Sequence, residues 1–329
     1  MRKILTPARL RLAVQGAFTL FLAWTAFRFL AHVRWAMGQT EIWTAKPPAV
    51  EGFLPISALI AARRFFSTGS FDPVHPAGLT IFLALIAMSF LWRKGFCGQL
   101  CPVGLVSNLL ERLGRRLGLT RQTSQRARRL MGVPKYLLLA GFGWVALSMS
   151  PAEAEAFLRA PFNMVADTRM LLFFEHPSVV TLAVLGVLAA LSVVIPAFWC
   201  RVLCPYGALL GLASWLSPSA ITRDADSCIS CGRCARACPV GLPVDQTMRV
   251  TSPDCQGCAE CVGACPVPGC LGLRVAGWRI PWWSIAAGCL GVLVLASLTA
   301  DWLGYWQSPL PARMVRRMHM LLLGQPPDF

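Results

Sequence analysis

Eight of the chain's fourteen cysteines follow one spacing twice, C-x2-C-x2-C-x3-C-P. These are Cys228, Cys231, Cys234 and Cys238-Pro239, then Cys255, Cys258, Cys261 and Cys265-Pro266. Three thiolates that close wrap one corner of an iron–sulfide cubane, and the fourth, ahead of proline, leaves for the neighbouring cluster. That rule assigns Cys228, Cys231, Cys234 and Cys265 to one [4Fe–4S] cluster, and Cys255, Cys258, Cys261 and Cys238 to a second. Structural zinc would come as two C-x2-C pairs or with histidines, and no histidine is near. A disulfide framework belongs to short secreted chains, and this one has 329 residues.

Four more cysteines form two C-x3-C-P motifs, Cys97/Cys101-Pro102 and Cys200/Cys204-Pro205. Residues four apart share a helix face, so each pair could bind one metal or form a strained disulfide. Brought together, the four thiols could hold a soft ion such as Cu(I), or a further iron centre. The plainer reading makes them small buried residues at a helix end, with proline setting the turn. His75 and His176 each precede a proline, an ordinary way to begin a helix. Their functional reading is proton acceptance from a quinol, because histidine titrates near neutral pH. Asp72 and Glu175 would then orient the imidazoles or relay protons. Cys289 reads as a small apolar packing residue, and Cys270 is given no role.

The features around these motifs repeat. Asp72-Pro-Val-His75-Pro76, an apolar run and Cys97/Cys101 are followed by Glu175-His176-Pro177, a second apolar run and Cys200/Cys204. The histidines are 101 residues apart and the cysteines 103, with Gly104 and Gly207 in matching places. The 22 residues from His75 to Cys97 span about 33 Å as helix, enough to cross a hydrocarbon core of about 30 Å. The expectation is two parallel units, each with its histidine outside and its cysteines inside.

Composition agrees with membrane residence. The chain is 56% hydrophobic and 14% charged, with mean hydropathy +0.57, against roughly a quarter charged for soluble domains. Its formal charge of +16 comes without a nucleic-acid motif, so no nucleic-acid partner is expected, and basic cytoplasmic loops account for it. Five spans are expected: about Leu12–Ala31, Pro76–Trp92, Val133–Met149, Val179–Phe198 and Trp278–Ala300. The first is too long for a signal-peptide core. The last opens on a cluster of interfacial tryptophans, Trp278, Trp282 and Trp283. Six spans result if residues 53–66 also cross. Between Arg93 and Lys135 ten Lys/Arg stand against Glu111 alone, which places that loop, the N-terminus and the ferredoxin-like module in the cytoplasm. Val103–Leu119 reads as an amphipathic helix on the membrane surface. The acidic loop 151–177 and the tail fall outside. The fold class is an α-helical integral membrane protein with an internal repeat and a small α+β 2[4Fe–4S] ferredoxin-like module. Its divisions are 1–219, 220–275 and 276–329.

The combination resembles the NapH/MauN-type membrane polyferredoxins, and also the membrane part of NosR, over roughly residues 71–270. FCGQLCPVG (96–104), WCRVLCPYG (199–207) and the two cluster motifs carry the likeness. The more distant CcoG/FixG group is similar too, but the chain ends about 25 residues after its last span, without room for their additional domain. The resemblance implies a multi-pass protein of the bacterial inner membrane that exchanges electrons with the quinone pool. It also implies a redox protein partner: a reductase, a ferredoxin or a maturation factor.

Three functions follow as alternatives. One is the electron-transfer subunit of a quinol dehydrogenase system, with quinol bound near the outer histidines or near the cytoplasmic cysteines. Another is reduction of copper or another metal for cofactor assembly through the C-x3-C-P thiols. The third is a membrane anchor whose clusters dock a partner without turnover.

Overall fold

The computed structural model describes residues 6–121 and 124–323. The N-terminal basic residues Arg2 and Lys3 lie outside the described residues. Among the described residues, three helices are long and apolar enough to cross a membrane unaided: Pro7–Ala36, Arg126–Ser148 and Ser284–Trp302. Ala166–Glu175 and Val179–Val194 qualify only as a pair, bent by 80°. Pro76–Trp92 is a shorter apolar helix of 17 residues. Apolar helices therefore stand at all five expected crossings. Their outer faces suit lipid: Val179, Val180, Leu182 and Val187 on one, and Val294, Leu295 and Leu298 on another, are exposed.

The stretch 53–66 behaves differently. It lies in the helix Pro55–Thr68, which buries Ser57, Ala58, Ile60, Ala61 and Ala62 against the helix Pro151–Leu158. Arg64 on the one pairs with Glu155 on the other. The second helix is started by a capping box between Ser150 and Glu153, which satisfies two orphan groups at its N-terminus.

Close contacts gather the chain into two units, each assembled from three stretches. One takes in residues up to Thr19, Leu85–Leu139 and Leu182–Val292. The other takes in Leu20–Ala84, Ala140–Thr181 and the chain from Leu293.

The first unit contains the ferredoxin-like module. Its sheet has four antiparallel strands, β1 (Ser219–Arg223), β2 (Arg249–Val250), β3 (Leu271–Val275) and β4 (Trp278–Ile280), in the order β2-β1-β3-β4. Ala220, Ile221, Val250, Leu271 and Leu273 are among its buried residues. The expected fifth span is corrected here: Trp278 does not open it. Trp278 pairs with Val275 across a two-residue turn, in which Ala276 and Gly277 both have positive φ, as such tight hairpins require. The membrane helix begins only at Ser284.

Candidate redox centres and a histidine-lined cavity

The two ferredoxin motifs fold alike. In each, a residue with positive φ stands two after the first cysteine (Ser230, Gly257), and another (Gly232, Ala259) caps a five-residue helix, Arg233–Ala237 or Glu260–Ala264. Each helix then ends on a cysteine in extended conformation, Cys238 or Cys265, before proline, because a residue ahead of proline is driven out of the helical region. That turn redirects the fourth cysteine. Cys228, Cys231, Cys234 and Cys265 line one cavity, while Cys238, Cys255, Cys258 and Cys261 line another. The structure thus brings together the two crossed sets expected from the spacing. Cys270 lines the first cavity as well.

The two cavities differ electrostatically. The Cys228 thiol is held below its usual pKa by the Ser230 N–H and the Arg223 side chain. Burial pushes Cys258 up to about 12 and Cys238 up to about 11. Leu242 donates its N–H to Cys238 Sγ at 3.3 Å, the kind of bond that offsets thiolate charge away from water. Among the described residues no three His, Cys, Asp or Glu side chains are close enough to hold one metal ion. Each set supplies four thiols, the donors that an iron–sulfur cubane takes.

The two C-x3-C-P motifs share one backbone pattern. Leu100 and Cys101 both donate to the Phe96 carbonyl at 2.9 Å, and Leu203 and Cys204 both donate to that of Trp199 at 3.0 Å. Within each motif the two cysteines do not share a helix. Cys97 and Cys200 lie in the short helices Gly95–Gln99 and Phe198–Val202. Cys101 and Cys204 are the N-caps of the next helices, Pro102–Arg116 and Pro205–Trp215. Proline lacks the N–H to continue a helix but suits the first position of a new one. All six pairs of the four thiols nevertheless lie within electrostatic reach of one another.

The second unit holds a cavity of about 280 Å3, and three of the chain's four histidines line it: His32, His75 and His319. Lys46 sits between two carboxylates, its Nζ 2.8 Å from Glu51 Oε1 and 2.7 Å from Asp167 Oδ2. His75 Nε2 lies 2.8 Å from the Asn163 carbonyl oxygen, which can only accept, so Nε2 carries the proton. The titrating atom is then Nδ1, 3.3 Å from Lys46 Nζ and 3.4 Å from Glu51 Oε1. Burial and the Lys46 ammonium pull this imidazole down, but Glu51 and Asp167 more than offset them, leaving its pKa above the ordinary histidine value. The Lys46 ammonium overrides burial to hold Asp167 at about 2 and Glu51 below its usual range.

The other sequence candidates are placed elsewhere. Asp72 accepts from the Val74 and His75 backbone N–H groups, so its hydrogen bonds order the turn ahead of the helix. Glu175 and His176 are exposed, and the two repeat histidines are not equivalent. Lys46, Glu51, Asp167, His32 and His319 went unnoticed in the sequence, where no spacing relates them. Only the scarcity of histidine could have drawn attention to His32 and His319.

Comparison with known proteins bears on the cysteine-carrying segments. One family model, a 4Fe-4S binding domain, matches residues 74–120 and again 177–223, the two halves of the repeat. A second, a 4Fe-4S dicluster domain, matches 220–266. YccM of Escherichia coli, whose name assigns it to electron transport, is 37% identical over 313 residues, covering 92% of this chain and 86% of that one. The methylamine utilization ferredoxin-type protein MauN of Methylorubrum extorquens is 31% identical, covering 57% of this chain and 61% of its own length. The regulatory protein NosR of Pseudomonas aeruginosa is 32% identical, covering 47% of this chain and 21% of NosR. No solved structure matches.

Proposed function

We propose a mechanism from the premise that this chain belongs to the NapH/MauN-type family of membrane ferredoxin-type electron-transport proteins, namely that it passes electrons between membrane quinol and a redox protein partner through two [4Fe–4S] clusters. The observation that carries this reading is the convergence of eight cysteines into two separate sets of four, each lining its own cavity. Cys228, Cys231, Cys234 and Cys265 hold one cluster, and Cys255, Cys258, Cys261 and Cys238 hold the other. Such clusters, when bound, change by one electron each at potentials tuned by hydrogen bonds and solvent exposure. The chain's own groups do that tuning: the Leu242 N–H at Cys238, and Arg223 with the Ser230 N–H at Cys228. Exposed Ile229 borders the first cavity and offers the partner an apolar contact.

Quinol oxidation releases two protons for every two electrons, so it needs a positioned base. His75 Nδ1 fills that role in the histidine-lined cavity. Its other nitrogen is locked as a donor by the Asn163 carbonyl, and Glu51 stands ready to stabilise the imidazolium that forms. Trp35 and Trp43 on the cavity wall suit a flat ring. The ten-to-one excess of basic residues from Arg93 to Lys135 supports an inner-membrane orientation with the cysteine-bearing loops in the cytoplasm.

The test is spin-resonance quantification of the anaerobically purified protein before and after a reduced short-chain quinol is added. The signals of the two ferredoxin-type clusters are expected to grow on reduction. Clusters that form but never respond to quinol would leave a docking anchor in place of a quinol-linked carrier.

A further inference from the structure

The eight ferredoxin cysteines leave a second gathering of thiols unexplained, and it lies in the same unit. Cys97, Cys101, Cys200 and Cys204 are drawn from both halves of the repeat. The helix that carries Cys200 packs on the helix that Cys101 caps, and all six pairings of the thiols are within electrostatic reach. We infer that these four cysteines together ligate a third iron–sulfur centre, built jointly by the two repeats.

Four observations carry the assignment. First, Cys101 and Cys204 cap helix N-termini, where the helix dipole favours a thiolate. Gly207 donates its N–H to Cys204 Sγ at 3.2 Å, while Cys101 occupies the matching N-cap without a side-chain hydrogen bond. The same backbone-to-sulfur bond marks Cys238, the proline-preceded ligand of the ferredoxin cavity.

Second, cations are buried around the thiols. Lys94 interacts with Cys97 and Cys200, and Lys135 with Cys97. Lys94, Lys135 and Arg201 are all buried, and Asp254 is the carboxylate common to the three. Glu111, within range of Arg201, is already paired with Arg115. An excess of buried positive charge is costly unless an anion answers it. A thiolate-ligated iron–sulfur centre carries net negative charge and supplies that answer.

Third, the donor set is four thiols, the same kind of set that lines each ferredoxin cavity. Fourth, a 4Fe-4S binding-domain model matches each half of the repeat across its C-x3-C-P motif. The position is also apt for electron transfer. Gly98 abuts the Gln256 carbonyl of the second ferredoxin loop, next to Cys255.

The experiment compares iron and acid-labile sulfide per chain in the anaerobically purified full chain with those of the Cys97→Ser/Cys200→Ser variant. About 12 iron atoms against about 8 are expected if all three centres are cubanes, a ratio of about 1.5. Equal iron contents would overturn the proposal, as would copper or zinc in place of the missing iron. Should the variant fold poorly, a redox titration of the unaltered protein reads the same question: three one-electron centres support the assignment, and two sink it. Lys94→Met should lower the potential of the third centre alone, because losing a nearby cation disfavours its reduced form. A Cys231→Ser/Cys258→Ser chain that keeps the third signal separates this inference from the ferredoxin assignment, which it does not depend on.

Discussion

Gly98, the residue after Cys97, lies so close to the carbonyl oxygen of Gln256 that a Cβ at this position would overlap it. This contact locks the first C-x3-C-P motif to the loop carrying Cys255 and Cys258. Because the neighbour is backbone, it cannot swing aside. Gly98→Ala should therefore cost about 1–3 kcal/mol and disturb the cluster held by that loop. Thermal unfolding, with the iron signal followed in parallel, tests this; an unchanged midpoint would mean that the two loops separate freely.

Arg11 secures the same junction from the N-terminal helix. Its Nε donates to the Gly98 carbonyl at 2.7 Å, and its Nη atoms reach Glu260 Oε1 at 2.7 Å and Gln256 Oε1 at 2.9 Å. With Arg11 only 2% exposed, removing it strands Glu260 in a part-buried site. Arg11→Ala is expected to cost about 3–5 kcal/mol. Arg11→Lys should recover only part of that, since one ammonium cannot address three acceptors in a fork. Denaturant titration of the two variants provides the comparison.

The crossing of the fourth cysteines can be checked signal by signal. Cys265→Ser should perturb the same spin-resonance signal as Cys228→Ser, and Cys238→Ser the same signal as Cys255→Ser. A chain in which Cys265 groups with Cys255 would contradict the cavity linings.

The Lys46 cluster sets a pH window for the stability of its own unit. His75 has a raised folded pKa, so its contribution is complete below the unfolded value of about 6.5 and is lost as pH rises through the folded value. Glu51 and Asp167 have depressed folded values, so theirs is present above about 4 and lost as pH falls. Both are complete between about pH 5 and 6. Burial, however, lowers the pKa of His32 and His319 in the same cavity. These two withdraw stability as pH falls below about 6.5, so the midpoint should peak near that value. His75→Gln should flatten the alkaline side alone. A profile that falls equally on both sides in that variant would remove His75 from the cluster.

His75→Gln should also slow quinol-driven cluster reduction by about 100-fold, the usual worth of a positioned base. Reduction by dithionite, which requires no proton acceptor, should keep its rate. Stopped-flow absorbance with each reductant separates the two. Equal slowing with both reductants would point to damaged clusters.

The iron–sulfur chemistry, the repeat and the apolar runs were legible in the chain as written, because each rests on local order. Ligand spacing, the proline after a cysteine and an uninterrupted apolar run are properties of neighbours along the sequence. The crossed pairing of Cys238 and Cys265 was legible for the same reason: proline forces the turn that sends each cysteine away. The hairpin at Trp278 was not, since tryptophans beside an apolar run look interfacial until a strand partner is known.

The sites built from distant segments belonged to tertiary structure alone. Lys46, Glu51, His75 and Asp167 come from three stretches of the chain and become one electrostatic unit only where burial strengthens their charges. His32 and His319 meet the same cavity from elements 287 residues apart. The equivalence of His75 and His176, which the repeat encouraged, ended there too: one is buried among charges and the other faces outward. Sequence order determined which residues could carry electrons. Only the packing of distant segments decided which side chains share the charged cavity and which of the two repeat histidines is buried, because solvent exclusion and Coulomb interaction depend on distance in space.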